Sequence, residues 1–441
     1  MTTRFPASLI LIVFCGIATC GATANAENWP GWRGPRGDGT SVEDNIPVKW
    51  DGTTGENIHW KIKVPGTGHA SPVVWEDTVF LATCLIDEKS EQKQRMLICL
   101  DRKTGKTRWE RPVLRSLLES RHSLNSYASG TPVTDGELIY VSFLSVDGRT
   151  IPAPNVGTPR AITPGEMVVA AFDFKGNQKW ITRPGEFISA HGFCSSPVLY
   201  EDLVIVNGDH DGKSYVAALN RSTGEIVWKV PRVHGIRSYV TPIIRDVAGK
   251  TQMVFSGSQR VVSLDPRTGS AHWLIEGPTE QFVASMVFDG ERFFMACGFP
   301  THHVIAIRAD GTGDVTNTHV VWESKEAKCY VPSPVLAGGY LFVADDRGTA
   351  NCFNAKTGER VWQDRLGSHF DSSLVTAGGL VYFLGRDGVM RVVEPGPEMK
   401  IVAENPLGDS CFASPAISNG QLFVRGEEHL FCIGATTSAA N

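Results

Sequence analysis

The 441-residue sequence lacks any run of basic residues, and its formal net charge of -5 is made of both signs spread along the chain. Proteins that bind nucleic acid carry clustered Lys and Arg for the phosphates, so nucleic acid is not an expected partner. After residue 18 the sequence also lacks an apolar run long enough to cross a bilayer. We therefore expect no transmembrane segment in the mature chain.

The sequence has few of the cysteine patterns that mark cofactor sites. Its 10 cysteines form no C-x-x-C, no C-x-x-C-H and no zinc-type spacing, which disfavours haem attachment and structural zinc. Cys15 and Cys20 lie in the N-terminal segment, which leaves 10 minus 2, or eight, for the rest of the chain. An even number in an exported protein can indicate disulfides. We nevertheless favour mostly free thiols, because three of the eight occupy equivalent small positions of the repeat described below.

The N-terminal 26 residues have the form of a secretory signal. The apolar run 9–18 is followed by Ala24-Asn25-Ala26, a small-x-small cleavage site. We predict cleavage near Ala26 and export to the periplasm or the extracellular space. The less favoured alternative is a lipoprotein tether at Cys20, since the preceding Thr fits that signal poorly.

Residues 27–57 form an arm rich in Gly, Pro and charge that also carries three tryptophans. A disordered linker seldom contains so many aromatic residues. We expect the arm to lie packed against the body of the protein.

A short unit recurs along the rest of the chain. It consists of an Asp or Asn, a Thr-Gly step and a Trp eight residues after the start. Asp and Asn cap turns, and Gly takes the positive φ that closes a hairpin with a bulge. The unit therefore predicts a tight turn that leads into a Trp-bearing strand. The copies are DRKTGKTRW (101–109), NRSTGEIVW (220–228), DPRTGSAHW (265–273) and NAKTGERVW (354–362).

Each repeat reads as four strands, and the first strand usually follows a Ser-Pro or Thr-Pro step. Eight first strands and eight second strands can be counted, but only seven fourth strands follow them. Residues 58–64, with Trp60, resemble a fourth strand without its first three, so we predict that this strand completes the last repeat. The expected fold is all-β: an eight-bladed β-propeller of four-stranded antiparallel blades over 58–434, with a C-terminal tail at 435–441. The first strands are predicted at 71–74, 131–134, 196–199, 241–244, 285–288, 333–336, 373–376 and 414–417.

One position in the third strand of every repeat is small, as expected where neighbouring sheets crowd together. Cysteines at three of these positions are then core residues. The eight residues are Cys99, Ala171, Ala218, Ser263, Ala306, Cys352, Val392 and Cys432.

With the repeats aligned, the chain resembles the pyrroloquinoline-quinone (PQQ) repeat β-propellers over 57–434, through units such as CLDRKTGKTRW and ALNRSTGEIVW. The resemblance implies one of two functions. Quinoprotein alcohol and glucose dehydrogenases of this family bind PQQ and calcium over the channel, whereas BamB-like members are scaffolds without a cofactor. The arm opening WPGWRGPRGDG also resembles a group of exported BamB-like propellers.

The sequence departs from the dehydrogenase pattern in three ways. It has no adjacent Cys-Cys pair, no obvious aromatic floor for a quinone, and too few residues for the additional loops of those enzymes. We therefore predict a monomeric, non-catalytic binding or scaffolding module without a cofactor or metal, for a protein partner or small-molecule ligand. The alternative is a PQQ- and calcium-dependent oxidoreductase.

The loops that precede the first strands carry polar residues expected to converge at one mouth of the channel. In a quinoprotein, Asp371 would be the candidate general base; the other interpretation is a turn residue that caps Ser373. The candidates are His69, Arg121, His122, Asn125, Tyr127, His191, Arg237, Tyr239, Tyr330, His369 and Asp371, with His234 nearby.

Three further stretches invite weaker interpretations. Asn207, Asp209 and Asp211 alternate as calcium ligands can, but lack the rest of an EF-hand loop, so turn chemistry is favoured. His302 and His303 make a weak metal pair. The loop 149–165 contains four prolines and is stiff enough for a lid or docking surface.

Overall fold

A computed structural model describes residues 26–434, and these contain 35 strands. Within this range no helix is long and apolar enough to span a membrane. The predicted signal sequence up to residue 25, the alternative tether at Cys20 and the predicted tail 435–441 lie outside the described residues.

The strands form eight sheets in chain order, together with one small hairpin, β8–β9. They are β1 (Ile58–Lys63), β2 (Val73–Trp75), β3 (Thr78–Leu85), β4 (Lys93–Asp101), β5 (Thr107–Ser116), β6 (Val133–Thr134), β7 (Leu138–Val146), β8 (Ile151–Pro152), β9 (Ala161–Ile162), β10 (Gly165–Asp173), β11 (Gln178–Phe187), β12 (Val198–Tyr200), β13 (Leu203–Gly208), β14 (Tyr215–Asn220), β15 (Ile226–Pro231), β16 (Ile243–Val247), β17 (Lys250–Gly257), β18 (Arg260–Leu264), β19 (Ala271–Glu276), β20 (Val287–Phe288), β21 (Arg292–Cys297), β22 (His303–Arg308), β23 (Gly313–Asp314), β24 (Val320–Ser324), β25 (Val335–Ala337), β26 (Tyr340–Ala344), β27 (Thr349–Asn354), β28 (Arg360–Arg365), β29 (Val375–Ala377), β30 (Leu380–Leu384), β31 (Val389–Glu394), β32 (Lys400–Pro406), β33 (Ala416–Ser418), β34 (Gln421–Arg425) and β35 (His429–Ile433).

The predicted eight-bladed propeller is confirmed. Each blade is an antiparallel sheet whose first strand lies at the channel and whose fourth lies at the rim. The last blade has the order β1-β35-β34-β33, so the N-terminal strand closes the ring as predicted. Blade 4 differs in having a fifth strand. The turn of blade 5 is longer than a Thr-Gly turn, and its residues Gly313–Asp314 pair in parallel with β19 of blade 4.

The register of the outer strands explains the repeat. The predicted small position of each third strand is fully buried and faces the Trp of the fourth strand, as in Cys99 with Trp109 and Ala218 with Trp228. Cys432 pairs in the same way with Trp60 of β1. Only Val392 faces another residue, Ala403, because blade 7 has no Trp at this position.

The rim tryptophans connect neighbouring blades, and we call them the outer ring. Six of them donate the indole N–H to a backbone carbonyl in or beside the third-to-fourth-strand turn of the next blade. Trp180, for example, donates to the carbonyl of Arg221 at 2.9 Å and lies over Gly224. Gly224 has φ +76°, and a Cβ there would lie 2.6 Å from the Trp180 ring. The six are Trp60, Trp109, Trp180, Trp228, Trp322 and Trp362.

A second set of bonds, the inner ring, surrounds the channel. One Ser or Thr at the start of each first strand occupies equivalent positions in the eight blades. In seven of the eight junctions the backbone N–H of this residue donates to the side-chain oxygen of its counterpart in the next blade, at 2.9 to 3.1 Å. The Ser-Pro and Thr-Pro steps of the sequence are thus the channel-side connections between blades. The members are Ser71, Thr131, Ser196, Thr241, Ser285, Ser333, Ser373 and Ser414.

The arm crosses the end of the channel where the first strands finish. Trp29 pairs with Val74 of blade 1, and the Glu43 carboxylate accepts the N–H groups of Asn419 and Gly420 in blade 8, at 2.6 Å each. Arg33 is buried, and its guanidinium donates to the carbonyls of Ser333, Pro334, Leu374 and Asp38.

All eight cysteines of residues 26–434 are free thiols, and all but Cys194 are buried. This agrees with the prediction of mostly free thiols.

Candidate functional site

The channel contains a cavity of about 150 Å³. Its walls come from the loops that precede the first strands and from five members of the inner ring, and Trp32 of the arm contributes an aromatic face. The lining residues are Trp32, His69, Ser71, His122, Leu124, Asn125, Ser129, His191, Cys194, Ser196, Tyr239, Thr241, Val283, Tyr330, Val331, Asp371, Ser373, Phe412 and Ser414.

Seven of the eleven predicted residues line this cavity: His69, His122, Asn125, His191, Tyr239, Tyr330 and Asp371. The other four do not. Arg121 stacks on Tyr127, with 4.6 Å from its guanidinium carbon to the ring centre. Arg237 is buried against Asp211, and the exposed side chain of His369 lies outside the cavity.

The cavity imidazoles are held in the neutral form. His69 stacks on Phe412 with parallel rings whose centres are 4.3 Å apart. Burial, and then the charge of Arg425, lower the pKa of His69 to about 3. Burial and the charge of Arg237 lower the pKa of His191 to about 3 as well. At neutral pH both rings therefore act as uncharged hydrogen-bonding groups.

Asp371 is the one carboxylate among the lining residues of the described chain, and it is fully engaged. Its two oxygens accept from Nε and the terminal nitrogen of Arg386 at 2.6 and 2.7 Å. It does not cap Ser373, whose N–H donates to Ser414 instead. A carboxylate in a two-pronged ion pair is a poor general base, because both of its oxygens are already occupied as hydrogen-bond acceptors.

The sequence pattern does not reveal several residues at the mouth. Trp32 belongs to the arm, so its position in the chain does not predict its place in the cavity wall. Asp346 lies behind Tyr330 and Val331, and its Oδ1 accepts the N–H of Val331 at 2.9 Å. Burial, assisted by the nearby carboxylates of Asp371 and Asp345, raises the pKa of Asp346 to about 6. The Asp345-Asp346 step in a second-to-third-strand loop was the available signal.

The alternating acidic residues of 207–211 form ion pairs and do not converge on one point. Asp209 accepts from Nε of Arg232 at 3.0 Å, and Asp211 accepts from Arg237 at 2.9 Å. Arg237 also donates to the carbonyl of Asn155 at 2.8 Å. It thereby holds the β8–β9 hairpin, which belongs to the proline-rich loop, against blade 4.

The lining residues do not fit a quinone with calcium. Small-molecule sites usually measure about 300–1,000 Å³, and this cavity is about 150 Å³. Trp32 supplies an aromatic face, but the candidate acidic ligand Asp371 is bound by Arg386. Within residues 26–434 no three His, Cys, Asp or Glu side chains come together as a metal site.

The fold, the two rings and the Thr-Gly-Trp units define the class: a PQQ-like repeat propeller with eight blades. The family model described as "Outer membrane protein assembly factor BamB" matches residues 43–151, 148–309 and 312–396. The chain belongs to this family.

Two curated relatives carry the same description, BamB. The one from Yersinia pestis is 24% identical over 282 residues, which is 61% of this chain and 65% of the relative. The one from Burkholderia pseudomallei is 29% identical over 113 residues, or 25% of this chain and 29% of the relative. The matches thus span less than two thirds of either relative.

Two solved structures share the fold. BamB from Moraxella catarrhalis superposes with a TM-score of 0.59 at 13% identity, covering 87% of this chain and 98% of that one. A europium-containing methanol dehydrogenase superposes with a TM-score of 0.58 at 14% identity, covering 91% and 90%. At these identities the likeness concerns the fold alone.

Proposed function

We propose that the protein is an exported, monomeric and non-catalytic binding or scaffolding module that holds a protein partner or a small ligand at the mouth of its propeller. The observation that carries the proposal is the Asp371–Arg386 ion pair, since it occupies both oxygens of the one carboxylate that lines the cavity. Membership of a family named for outer membrane protein assembly supports export and a role in assembly.

The geometry of the mouth also favours binding over chemistry. The cavity contains neutral imidazoles, hydroxyls and aromatic faces. Such a set of groups orients and packs a ligand, whereas imidazoles with pKa values of about 3 are only weak bases at neutral pH.

The alternative is a PQQ- and calcium-dependent oxidoreductase, favoured by the shared fold of the methanol dehydrogenase and by the aromatic face of Trp32. Titration of the purified protein with PQQ and calcium, followed by quinone absorbance and thermal shift, separates the two. We expect no stoichiometric complex and no dye reduction with alcohols or sugars. A one-to-one complex with dehydrogenase activity would contradict the proposed function.

A further inference from the structure

We infer that the central cavity binds the carboxylate of a small organic acid. The hydroxyls of the inner ring donate to it, and two buried arginines beside the ring compensate its charge. The inference rests on the proposed function, because that function places ligand binding at this mouth, and it adds the chemical class of the ligand.

The first support is the unused hydrogen-bonding capacity of the ring. The side-chain oxygens of Ser71, Ser196, Ser373 and Ser414 each accept a backbone N–H from the preceding blade, at 2.9 to 3.1 Å. No group of residues 26–434 takes the protons of these four hydroxyls, and all four residues line the cavity. A hydroxyl whose oxygen is already an acceptor has its proton left to donate. The cavity therefore offers O–H donors to a ligand rich in acceptors.

The second support is two guanidinium groups that lack a carboxylate partner. Arg33 and Arg425 are each 2% exposed, and Nε of each has no hydrogen-bond partner in the described chain. Arg425 donates to the carbonyls of Ala70 and Ala82, at 3.2 and 2.7 Å. Arg33 donates to carbonyl oxygens only, among them that of Leu374 at 3.0 Å.

Neither guanidinium lines the cavity, but each contacts the backbone beside a ring serine that does. Ala70 precedes Ser71 and Leu374 follows Ser373, so each guanidinium contacts a residue adjacent to a member of the ring. A buried cation without a counter-ion is costly, and a nearby anion would relieve that cost. The only acidic lining residue of the described chain, Asp371, is already neutralised by Arg386.

The charge of the neighbouring groups agrees with this assignment. The charge of Arg425 lowers the pKa of His69 and that of Arg237 lowers the pKa of His191, so the potential is positive beside these two rings. A carboxylate placed there meets neutral imidazoles and no free carboxylate among the lining residues.

The size and walls of the cavity limit the acid. A cavity of about 150 Å³ is large enough for a benzene-sized group. The aromatic side chains of Trp32, Tyr239, Tyr330 and Phe412 line it, so they would pack on an apolar body attached to the carboxylate. Two sources present this chemistry: a free aromatic or short aliphatic acid, and the C-terminal residue of a polypeptide.

The test is calorimetry of the full chain with benzoate and with benzyl alcohol, its neutral analogue. We expect benzoate to bind one-to-one and at least about tenfold more tightly than the alcohol. Val283→Phe should fill the cavity without altering a hydroxyl or an arginine, and should weaken benzoate binding at least about tenfold. Val321→Phe, on the exposed rim, is the matched control and should bind as the unaltered protein does.

A second variant tests the charge. Arg425→Met should weaken benzoate at least about tenfold and leave the alcohol unchanged. Equal binding of benzoate and the alcohol, or no benzoate binding at all, overturns the inference.

A peptide ending in Phe identifies the source of the carboxylate. Tighter binding of the free-acid peptide than of both benzoate and the amidated peptide supports a polypeptide C-terminus. Benzoate binding that the peptide does not exceed supports a free acid.

The proposed function fails separately from this inference. The mouth could bind a neutral ligand or a protein but not benzoate, and Val283→Phe could abolish that binding. This outcome would contradict only the carboxylate assignment. A stoichiometric PQQ–calcium complex with activity would overturn both.

Discussion

The outer and inner rings hold the same blades together, yet they differ in how many of their hydrogen-bond donors remain without an acceptor. At the rim, each of the six indole N–H groups reaches a carbonyl, and most of the rings cover a turn glycine of the next blade. Around the channel, seven of the eight ring hydroxyls accept one N–H, and the four ring serines that line the cavity have no acceptor for their own protons in the described chain. The indole donors at the rim are thus all satisfied by backbone carbonyls, whereas hydroxyl donors on the channel side remain available.

This difference shows that a repeat protein can offer ligand-binding groups from its repeated positions. Binding groups are usually sought in irregular loops. Here the most regular position near the axis, the Ser or Thr before the first strand, also supplies hydrogen-bond donors to the channel cavity. The loops add the aromatic and imidazole walls around it.

The two rings are interrupted in the same part of the molecule. Trp273 of blade 4 donates to Gln252 of its own blade at 2.7 Å instead of to blade 5. Across the blade 3 to blade 4 junction, Ser196 and Thr241 make no ring bond. Blade 4 is also the blade that gains β23, so extra pairing at its outer edge accompanies the missing ring contacts.

The largest effect is expected from filling the space under a rim tryptophan. Gly224→Ala introduces a Cβ 2.6 Å from Trp180 at a φ of +76°. We expect a loss of about 3 kcal/mol in unfolding free energy, from overpacking and from the left-handed backbone. Gly339→Ala has a φ of +84° and open space around the Cβ, so it should cost about 1 kcal/mol. Equal losses in urea denaturation would show that the Trp contact contributes nothing.

Breaking the inner ring at a residue that does not line the cavity is the next test. Ser333→Ala leaves the buried N–H of Ser285 without the acceptor it now has at 2.9 Å. An unsatisfied buried donor costs about 2 kcal/mol. Ser333→Thr keeps the oxygen and should recover most of that loss, since Thr131 and Thr241 occupy equivalent positions. Denaturation midpoints of the two variants decide whether the hydroxyl or the side-chain volume matters.

The mouth above the inner ring should show a pH effect through Asp346. Burial raises the pKa of Asp346 to about 6 from an ordinary value of 3.8, so the folded state favours the protonated form. That contribution is present below pH 3.8 and is lost as the pH rises through 6. Asp346→Asn should therefore raise the unfolding free energy at pH 7.5 and leave it unchanged near pH 3.5. A uniform effect at both pH values would contradict the assignment.

The smallest effect is expected at the small position behind the rim. Cys99 faces Trp109 as Ala171 faces Trp180. Cys99→Ala places in blade 1 the residue that blade 2 already has, so the loss should stay under about 1 kcal/mol. Cys99→Leu overfills the same position and should lose more than the Ala variant. A large loss for Ala, measured by thermal unfolding, would mean that blades 1 and 2 are not equivalent there.

The fold could be predicted from sequence because its determinants are local and repeated. The Thr-Gly turn, the small third-strand residue and the Trp recur at fixed spacing. The additional strand with Trp60 could only complete the last blade, which lacked its fourth strand. The prediction missed the fifth strand of blade 4, since β23 comes from a turn of blade 5 that departs from the repeat.

The site was predicted only in part. The loop rule predicted the position of His69, His191 and Tyr239 at the cavity, because each lies in a loop that leads into a first strand. It could not find Trp32, which reaches the cavity from the N-terminal arm, or Arg33, whose partners lie about 300 positions away. Contacts between segments so distant in sequence leave no local pattern. The ring serines mark the first strands in the sequence, but the pattern does not show that they also bond neighbouring blades and line the cavity.

The central claim is that the inner ring both joins the blades and binds a ligand, and Ser373 tests it most directly because it does both. The measurement is the benzoate affinity of Ser373→Ala beside that of Ser333→Ala, whose position belongs to the ring but not to the cavity lining. Both variants should lose a similar unfolding free energy, about 2 kcal/mol. Only Ser373→Ala should also bind benzoate several-fold more weakly. Equal benzoate affinity in the two variants would contradict the claim.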